Sequence, residues 1–214
     1  MSLPEPNGGP TAPIRLAIIG GGIGGLSLLL GILSHTSRTL IAPHLFESAP
    51  SFAEIGAGVG FGPNSVSAMQ VISQDLWEAY DRIAADTEMV LIDGERRVQW
   101  HQFHMGMDGR GERNGLKAGE RISTIYNRNR KKNVHRATFL DEMVKLLPGG
   151  TGEGFVSFGK RCVDVQEGQE GVRVSFADGT VERFHAVVGC DGVKSRVRKV
   201  LLGEGKEFEP RFTG

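Results

Sequence analysis

The sequence predicts an α/β fold in which a parallel βαβ unit opens the chain and antiparallel strands are inserted further along. Three observations predict it. A short apolar run, Ile14-Arg15-Leu16-Ala17-Ile18-Ile19, leads straight into Gly20-Gly21-Gly22-Ile23-Gly24-Gly25, as a doubly buried strand leads into a tight turn. An apolar helical stretch over residues 24–34 precedes a second strand-like run over residues 39–46. Beyond residue 85, short apolar runs surround the Asp-Gly dipeptides at 93–94 and 178–179, which are hairpin turn signals.

The first turn carries the sharpest pattern. Gly20, Gly22 and Gly25 occupy the fixed positions of G-x-G-x-x-G. Gly20 allows the turn, Gly22 lets the backbone approach a pyrophosphate, and Gly25 lets the helix lie against the strand. The helix directs unpaired amides at the phosphates. Residues 14–33 are apolar enough to resemble a membrane span, but Arg15 and six glycines interrupt them, so they are read as strand, turn and buried helix. The second strand ends at Glu47. A carboxylate at that tip accepts hydrogen bonds from both hydroxyls of a ribose and repels a 2′-phosphate, which favours FAD or NAD over NADP. Pro43 is awkward within this strand and suggests an edge distortion or a start after it.

Gly56, Gly58, Gly60 and Gly62 alternate ahead of Pro63-Asn64. Either this is a flexible surface loop or, through Gly58 and Gly60, a second close approach of backbone to the ligand. Pro63 opens a helix reaching residues 71–73, and a further short helix covers residues 73–80. Residues 88–100 read as a hairpin turning at Asp93-Gly94. Trp100, His101, Phe103 and His104 cluster near its end, but the histidines lack a carboxylate or thiolate partner at ligand spacing, so no metal site is expected. Residues 105–124 read as a long surface loop.

Arg121, Arg128, Arg130, Lys131, Lys132 and Arg136 follow without an intervening acid, either as a solvated basic loop or as an attractor of nucleotide phosphate. Thr138 is the expected cap of a helix whose apolar face is Phe139, Leu140, Met143, Val144 and Leu147, stopped by Pro148-Gly149-Gly150. Strands are expected at 155–159, 160–165, 172–176, 181–184 and 186–189, the last aimed at Asp191-Gly192. Ser195 lacks a nucleophile elbow, and it does not read as the cap of a short helix over residues 197–202.

Composition narrows the function classes. The 25 basic and 25 acidic side chains balance, which argues against a nucleic-acid footprint. The 31 glycines in 214 residues imply many tight turns. Cys162 and Cys190 are too few for a disulfide scaffold and fit a reducing compartment, so a soluble, cytoplasmic protein is expected. Residues 1–13 are polar and proline-rich, unlike a secretory signal, and read as a disordered tail.

In combination these motifs resemble the group A FAD-dependent (aromatic-ring) monooxygenases, of salicylate hydroxylase-like, fungal type. The resemblance rests on Gly20/Gly22/Gly25, then Glu47, then Gly56-Ala57-Gly58 through Pro63-Asn64. It continues with His135-Arg136 at a helix start, similar to an H-R-x-x-L segment, and with Gly189-Cys190-Asp191-Gly192 through Ser195 and Arg198, similar to G-A-D-G-x-x-S-x-V-R. It implies a Rossmann-like FAD-binding βαβ fold with β-sheet insertions, truncated before completion of the substrate domain. Residues 14–80 and 130–205 would form the FAD-binding domain, and 86–125 with 206–214 the start of an incomplete substrate-binding sheet.

The implied cofactor contacts are Gly20, Gly22, Gly25, Glu47, Gly58, Gly60, Arg136, Asp191 and Gly192. Arg136 would meet the phosphate or ribose region, and the Asp191-Gly192 segment the FAD pyrophosphate and the pyridine nucleotide. The implied activity is hydroxylation of an aromatic or polyketide-like small molecule using NADH or NADPH and O2. No side chain stands out as a catalytic acid or base. The family's second G-D motif is absent, so the resemblance covers its N-terminal part and implies a C-terminal half or self-association. A catalytically inactive FAD-binding fragment and a different FAD or NAD oxidoreductase are the alternative readings.

Overall fold

Strand β1 (Ile14–Ile19) sends Ile18 to one side and Ala17 and Ile19 to the other, and all three are buried. A strand with a core on each face has no polar alternation, which is why its sequence reads as a continuous apolar run. The computed structural model describes residues 12–52, 57–86, 89–109, 115–127, 132–203 and 210. In chain order β1 is followed by α1 (Ile23–His35), β2 (Ile41–Phe46), β3 (Gly58–Phe61), α2 (Pro63–Ile72) and α3 (Gln74–Ile83). Then come the short β4 (Ala85–Asp86), the strands β5 (Met89–Ile92), β6 (Glu95–His104), β7 (Arg121–Asn127) and β8 (Lys132–His135), and helix α4 (Arg136–Lys145). The last elements are β9 (Val156–Ser157), β10 (Cys162–Gly168), β11 (Gly171–Phe176), β12 (Val181–Phe184), β13 (Ala186–Gly189) and α5 (Arg196–Leu202).

The four-stranded sheet β13-β1-β2-β9 is parallel throughout, with Ile18 opposite Leu45 and Val188, and Ile19 opposite Phe46 and Gly189. Ile18 and Leu45 face the helices, where Leu26 and Leu29 of α1, Tyr80 of α3 and Phe139 of α4 complete one core. Phe61 packs edge-on against Tyr80 and Phe139, with ring centroids 5.4 Å apart in each case. Ala17, Ile19 and Phe46 face the antiparallel sheet β10-β11-β12, where Val174, Phe176 and Phe184 form the second core with Val197 of α5. Helices, parallel sheet and antiparallel sheet are thus stacked in three layers. Two further three-stranded sheets, β3-β8-β4 and β5-β6-β7, occupy the inserted region.

Several sequence expectations require correction. Pro43 lies inside β2, opposite Leu16. Leu45 N donates to Phe155 O and Glu47 N to Ser157 O, so the odd-numbered amides of β2 face β9. β9 pairs only with Leu45 and Phe46, and the missing N–H of Pro43 falls before that pairing begins. The expected loop 105–124 ends earlier, because β7 starts at Arg121 and pairs with His104. The strand expected at 155–159 contracts to the two residues of β9, and β10 starts at Cys162 after a bridging loop. Thr138 is exposed inside α4, which begins at Arg136 with His135 as a cap lacking a side-chain bond, because β8 runs directly into the helix. Lys132 belongs to β8 rather than to a free loop.

The hairpin turn at 93–94 is present, with φ of 52° at Asp93 and 77° at Gly94. Residues 1–11, Gly56, the basic residues Arg128, Arg130 and Lys131, and residues 206–209 and 211–214 lie outside the described residues. Among the described residues no helix is long and apolar enough to cross a membrane.

Phe46 joins the two sheets: its ring centroid lies 4.7 Å from that of Phe176 and 5.6 Å from that of Phe184. Phe46→Ala is expected to lower the unfolding free energy by about 3–5 kcal/mol, as for other buried aromatic truncations. Urea unfolding followed by circular dichroism measures it. A loss below about 1 kcal/mol would show that the antiparallel layer does not depend on this contact.

Candidate dinucleotide site

The site lies at the carboxyl ends of the parallel strands, where each chain segment leaves the sheet. Gly20 follows β1 with φ +107°, a conformation that excludes most side chains. A Cβ on Gly20 would stand 2.4 Å from the carbonyl oxygen of Cys190, because the turn is pressed against the end of β13. A Cβ on Gly25 would stand 1.9 Å from the carbonyl oxygen of Gly20, so α1 rests on the turn only where no side chain intervenes. Gly22 is different: a Cβ there would meet only Nη2 of Arg136, at 3.7 Å. Gly22 caps α1 without a side-chain hydrogen bond, leaving the helix's first amides facing an open space.

Glu47 follows β2 and is half-buried. Its Oε2 accepts a hydrogen bond from Gly21 N at 2.7 Å, and its Oε1 accepts from Ala49 N at 2.7 Å and from Ser48 Oγ at 3.1 Å. The carboxylate therefore ties the ends of β1 and β2 together and keeps acceptor capacity on Oε2. Arg136, the first residue of α4, is half-buried, and its backbone N donates to Ala57 O at 3.0 Å. Its guanidinium has no hydrogen-bond or ion-pair partner among the described residues.

Asp191 follows β13. Its Oδ2 accepts from Arg196 N at 2.6 Å and Val197 N at 3.3 Å, at the start of α5. Its Oδ1 is buried and has no hydrogen-bond partner among the described residues. Gly192 has φ +76° and open space around it. Ser195, buried, caps α5 by accepting from Arg198 N at 2.9 Å, which corrects the expectation that it would not.

Gly20, Gly22, Glu47, Arg136, Asp191 and Gly192 line a single cleft of about 510 Å3. Gly25 sits behind it, supporting the turn. Gly58 and Gly60 are exposed on β3, paired with His135 and Asn133, and do not line the cleft. The cleft also contains Lys160 and Arg161, which the sequence reading passed over, and Cys162, which it took only as one of two unpaired thiols. They arrive through the loop after β9, held by Gly159 N donating to Ala49 O and Lys160 N donating to Glu47 O, both at 2.8 Å. The only sequence signal was two adjacent cations after a short apolar run. Burial pushes the Cys162 thiol up to about 11, with the Asp191 carboxylate adding to it, and the same two causes raise Cys190.

These features fit a dinucleotide. An uncapped helix N-terminus and an unpaired guanidinium suit phosphate, while a strand-end carboxylate and the orphaned Asp191 Oδ1 suit sugar hydroxyls. Fold and cleft together define a Rossmann-like α/β architecture with a cleft whose lining suits a dinucleotide. The comparisons narrow this. No model of a protein family matches the sequence. The chain is 41% identical to a 6-methylsalicylate 1-monooxygenase of Aspergillus terreus, over 94% of this chain and 42% of that protein. It is 38% identical to an FAD-dependent monooxygenase of Aspergillus niger, over 91% of this chain and 42% of that protein. Among solved structures, a salicylate hydroxylase in complex with substrate matches with a TM-score of 0.62 and 30% identity, over 95% of this chain and 42% of that one. Nearly the whole chain thus resembles salicylate hydroxylases and fungal FAD-dependent monooxygenases, while spanning about two-fifths of their length.

Two measurements check this geometry. Gly25→Ala is expected to abolish cooperative unfolding or lower the melting temperature sharply, whereas Gly24→Ala, exposed and with nothing within 4 Å, gains up to about 1 kcal/mol from helix propensity. Equal melting temperatures for the two variants would refute the close packing of α1 on the turn. In a Cys190→Ser background, iodoacetamide at pH 8 should modify Cys162 about 100-fold more slowly in the folded than in the urea-unfolded chain, since so little of the raised thiol is ionised. Similar rates in both states would show that the thiol is not desolvated.

Proposed function

We propose that this chain binds FAD across the carboxyl ends of its parallel sheet and forms the cofactor-binding part of an NADH- or NADPH-dependent monooxygenase. That enzyme would use O2 to hydroxylate a small aromatic or polyketide-like molecule. The observation that carries the reading is the convergence of the Gly20–Gly22 turn, Glu47, Arg136 and Asp191 on one cleft, in a chain related over nearly all its length to FAD-dependent monooxygenases. Bound FAD would supply the redox chemistry, accepting a hydride from the nicotinamide and delivering the electrons to O2.

The protein's own contribution is binding and orientation. The amides at the start of α1 and the guanidinium of Arg136 would neutralise the pyrophosphate, with Gly22 leaving room for it. Glu47 would accept from a ribose hydroxyl through Oε2. Asp191 would accept a ligand donor at Oδ1 while Oδ2 stays committed to the start of α5, so a single carboxylate both fixes its own loop and reads the ligand. Gly192 would let the loop approach closely. Gly58 and Gly60 would act indirectly, by holding β8 and therefore His135 and Arg136 in register.

Residues 14–80 and 130–205 are proposed as the FAD-binding domain, and β5-β6-β7 as the first part of a substrate-binding sheet. The complete reaction then belongs to a larger assembly. The β13 edge, with Val188 and Leu201 exposed beside it, would be covered there by further polypeptide of the enzyme. A dehydrogenase-type oxidoreductase is the second reading; it shares the glycine turn and Glu47 but does not account for the relatives.

Titration of the 214-residue chain with FAD, followed by flavin fluorescence, tests the proposal. Saturable binding is expected, weakened at least about 10-fold in Glu47→Ala, where a charge-assisted hydrogen bond is lost. Glu47→Gln should fall between the two. A folded chain, shown by a cooperative melt, that takes up no FAD would sink the reading.

A further inference from the structure

Glu47 stands where the regular pairing of the parallel sheet ends. β9 pairs with β2 only at Leu45 and Phe46, and the chain around residues 157–160 carries the contact on. Glu47 N donates to Ser157 O at 2.9 Å, Lys160 N donates to Glu47 O at 2.8 Å, and Gly159 N donates to Ala49 O at 2.8 Å. The main chain of the residue read as the ribose acceptor is therefore located largely by a loop. A loop positions a side chain only as well as it is itself held. Lys160 supplies a hold. Its Nζ donates to Asp178 Oδ2 at 2.6 Å and to Thr180 Oγ1 at 2.8 Å, in the turn between β11 and β12. The side chain is only 21% exposed, and the ammonium lies 5.4 Å from the ring centroid of Phe176. Phe176 packs in turn on Phe46, the residue before Glu47.

We propose that Lys160 and Asp178 form a strut that positions Glu47, so that an ion pair touching no ligand group sets how well the cleft distinguishes a ribose from its deoxy forms. The inference rests on the reading of Glu47 as the ribose acceptor. Lys160 lines the cleft, and a cation there has an alternative use as a phosphate contact. Two observations favour the strut. An ammonium has three donors, and two of those on Lys160 are engaged on the side of the antiparallel layer. Asp178 is itself fixed: its Oδ1 accepts from Thr180 N at 3.0 Å and from Thr180 Oγ1 at 2.6 Å, across a turn closed by Gly179 at φ +85°. The pair thus joins a closed hairpin turn to the loop that carries Glu47. Partly exposed ion pairs add little to global stability, so the effect of this one falls on placement.

Calorimetric titration with ADP and with 2′,3′-dideoxy-ADP tests it in the wild type, Asp178→Asn, Lys160→Met and the double variant. ADP carries the pyrophosphate and ribose of the cofactor, and the dideoxy form lacks only the two hydroxyls. Asn at position 178 keeps a carbonyl oxygen for Thr180 N and removes the charge. The wild type is expected to favour ADP at least about 10-fold through Glu47. Each single variant should melt like the wild type, lower ADP affinity about 5-fold and leave dideoxy-ADP affinity unchanged, and the double variant should lose no more than either single one. Tighter binding of both ligands in Asp178→Asn, with weaker binding in Lys160→Met, would make Lys160 a phosphate contact. An equal loss for both ligands would make the pair structural only, and no loss would leave it without effect on the site. Each of these overturns the strut and leaves the FAD reading standing. A folded wild-type chain that binds FAD but does not distinguish ADP from the dideoxy form overturns the ribose role of Glu47 and the strut with it. A folded chain that binds neither FAD nor ADP overturns the FAD reading as well.

Discussion

The structure depends on one steric fact: helix α1 begins where β1 ends, with no side chain between them. The carbonyl oxygen of Gly20 occupies the space that a Cβ of Gly25 would take. That contact sets the angle of α1, and the angle lets Leu26 and Leu29 close over Ile18 and Leu45. The same turn is pressed against Cys190 and Asp191, so the end of β13 is located by it as well. The turn uses its own amides to hold the neighbouring strand, Gly20 N donating to Phe46 O at 2.8 Å and Gly21 N to Glu47 Oε2 at 2.7 Å, while the helix that starts after Gly22 has no side-chain cap. Structural necessity and ligand access are served by the same absence of side chains, but at different positions. Gly20 and Gly25 are jammed, while Gly22 is open.

What the sequence made legible follows the range of the interactions involved. The glycine turn, α1, the acid at the end of β2 and the 93–94 hairpin are local patterns, and each stands where expected. The corrections concern features decided by distant partners. Whether Pro43 can sit in a strand depends on how far β9 extends along β2, and β9 is two residues long. Ser195 is the local exception: it caps Arg198 N three residues on while Asp191 holds the neighbouring amides, a pairing that helix propensity does not express. The stacking of β10-β11-β12 on Phe46 was likewise invisible, since alternating runs announce a half-buried sheet without naming the surface that covers it. Lys160 and Arg161 were missed at the site for the same reason. Their place in the cleft comes from parallel pairing across more than a hundred residues of chain.

The electrostatics of the cleft are mixed, and the mixture is informative. A pure phosphate trap would gather cations alone. Here two carboxylates, Glu47 and Asp191, share the cleft with Arg136 and Arg161, and each carboxylate has already committed part of its acceptor capacity to backbone amides. Those backbone bonds hold the carboxylates oriented before any ligand arrives, so little ordering is left to the binding event. The buried, unpartnered Asp191 Oδ1 is costly to maintain in isolation, and a donor arriving from a ligand would remove that cost. Lys160 and Arg196 in the same cleft are paired with Asp178 and Asp164, whereas the guanidiniums of Arg136 and Arg161 have no side-chain partner among the described residues and gain the most from an anionic ligand.

The two thiols in this region belong to the same pattern. Cys162 and Cys190 flank Asp191 and are held in the neutral form by burial and by that carboxylate. A neutral thiol occupies roughly the space of a small apolar side chain and adds no competing charge. Asp191 thus fixes the start of α5 through Oδ2, keeps Oδ1 buried, and acts on both neighbouring cysteines through its field. Its loop follows β13, which is an edge strand among the described residues and adjoins the exposed Val188 and Leu201. Any polypeptide added to that edge would pack beside the residue that ties the loop to helix α5. The short loop after β13 is thus shared between the cleft, which it lines through Asp191 and Gly192, and the start of α5, which it holds through Oδ2 of Asp191.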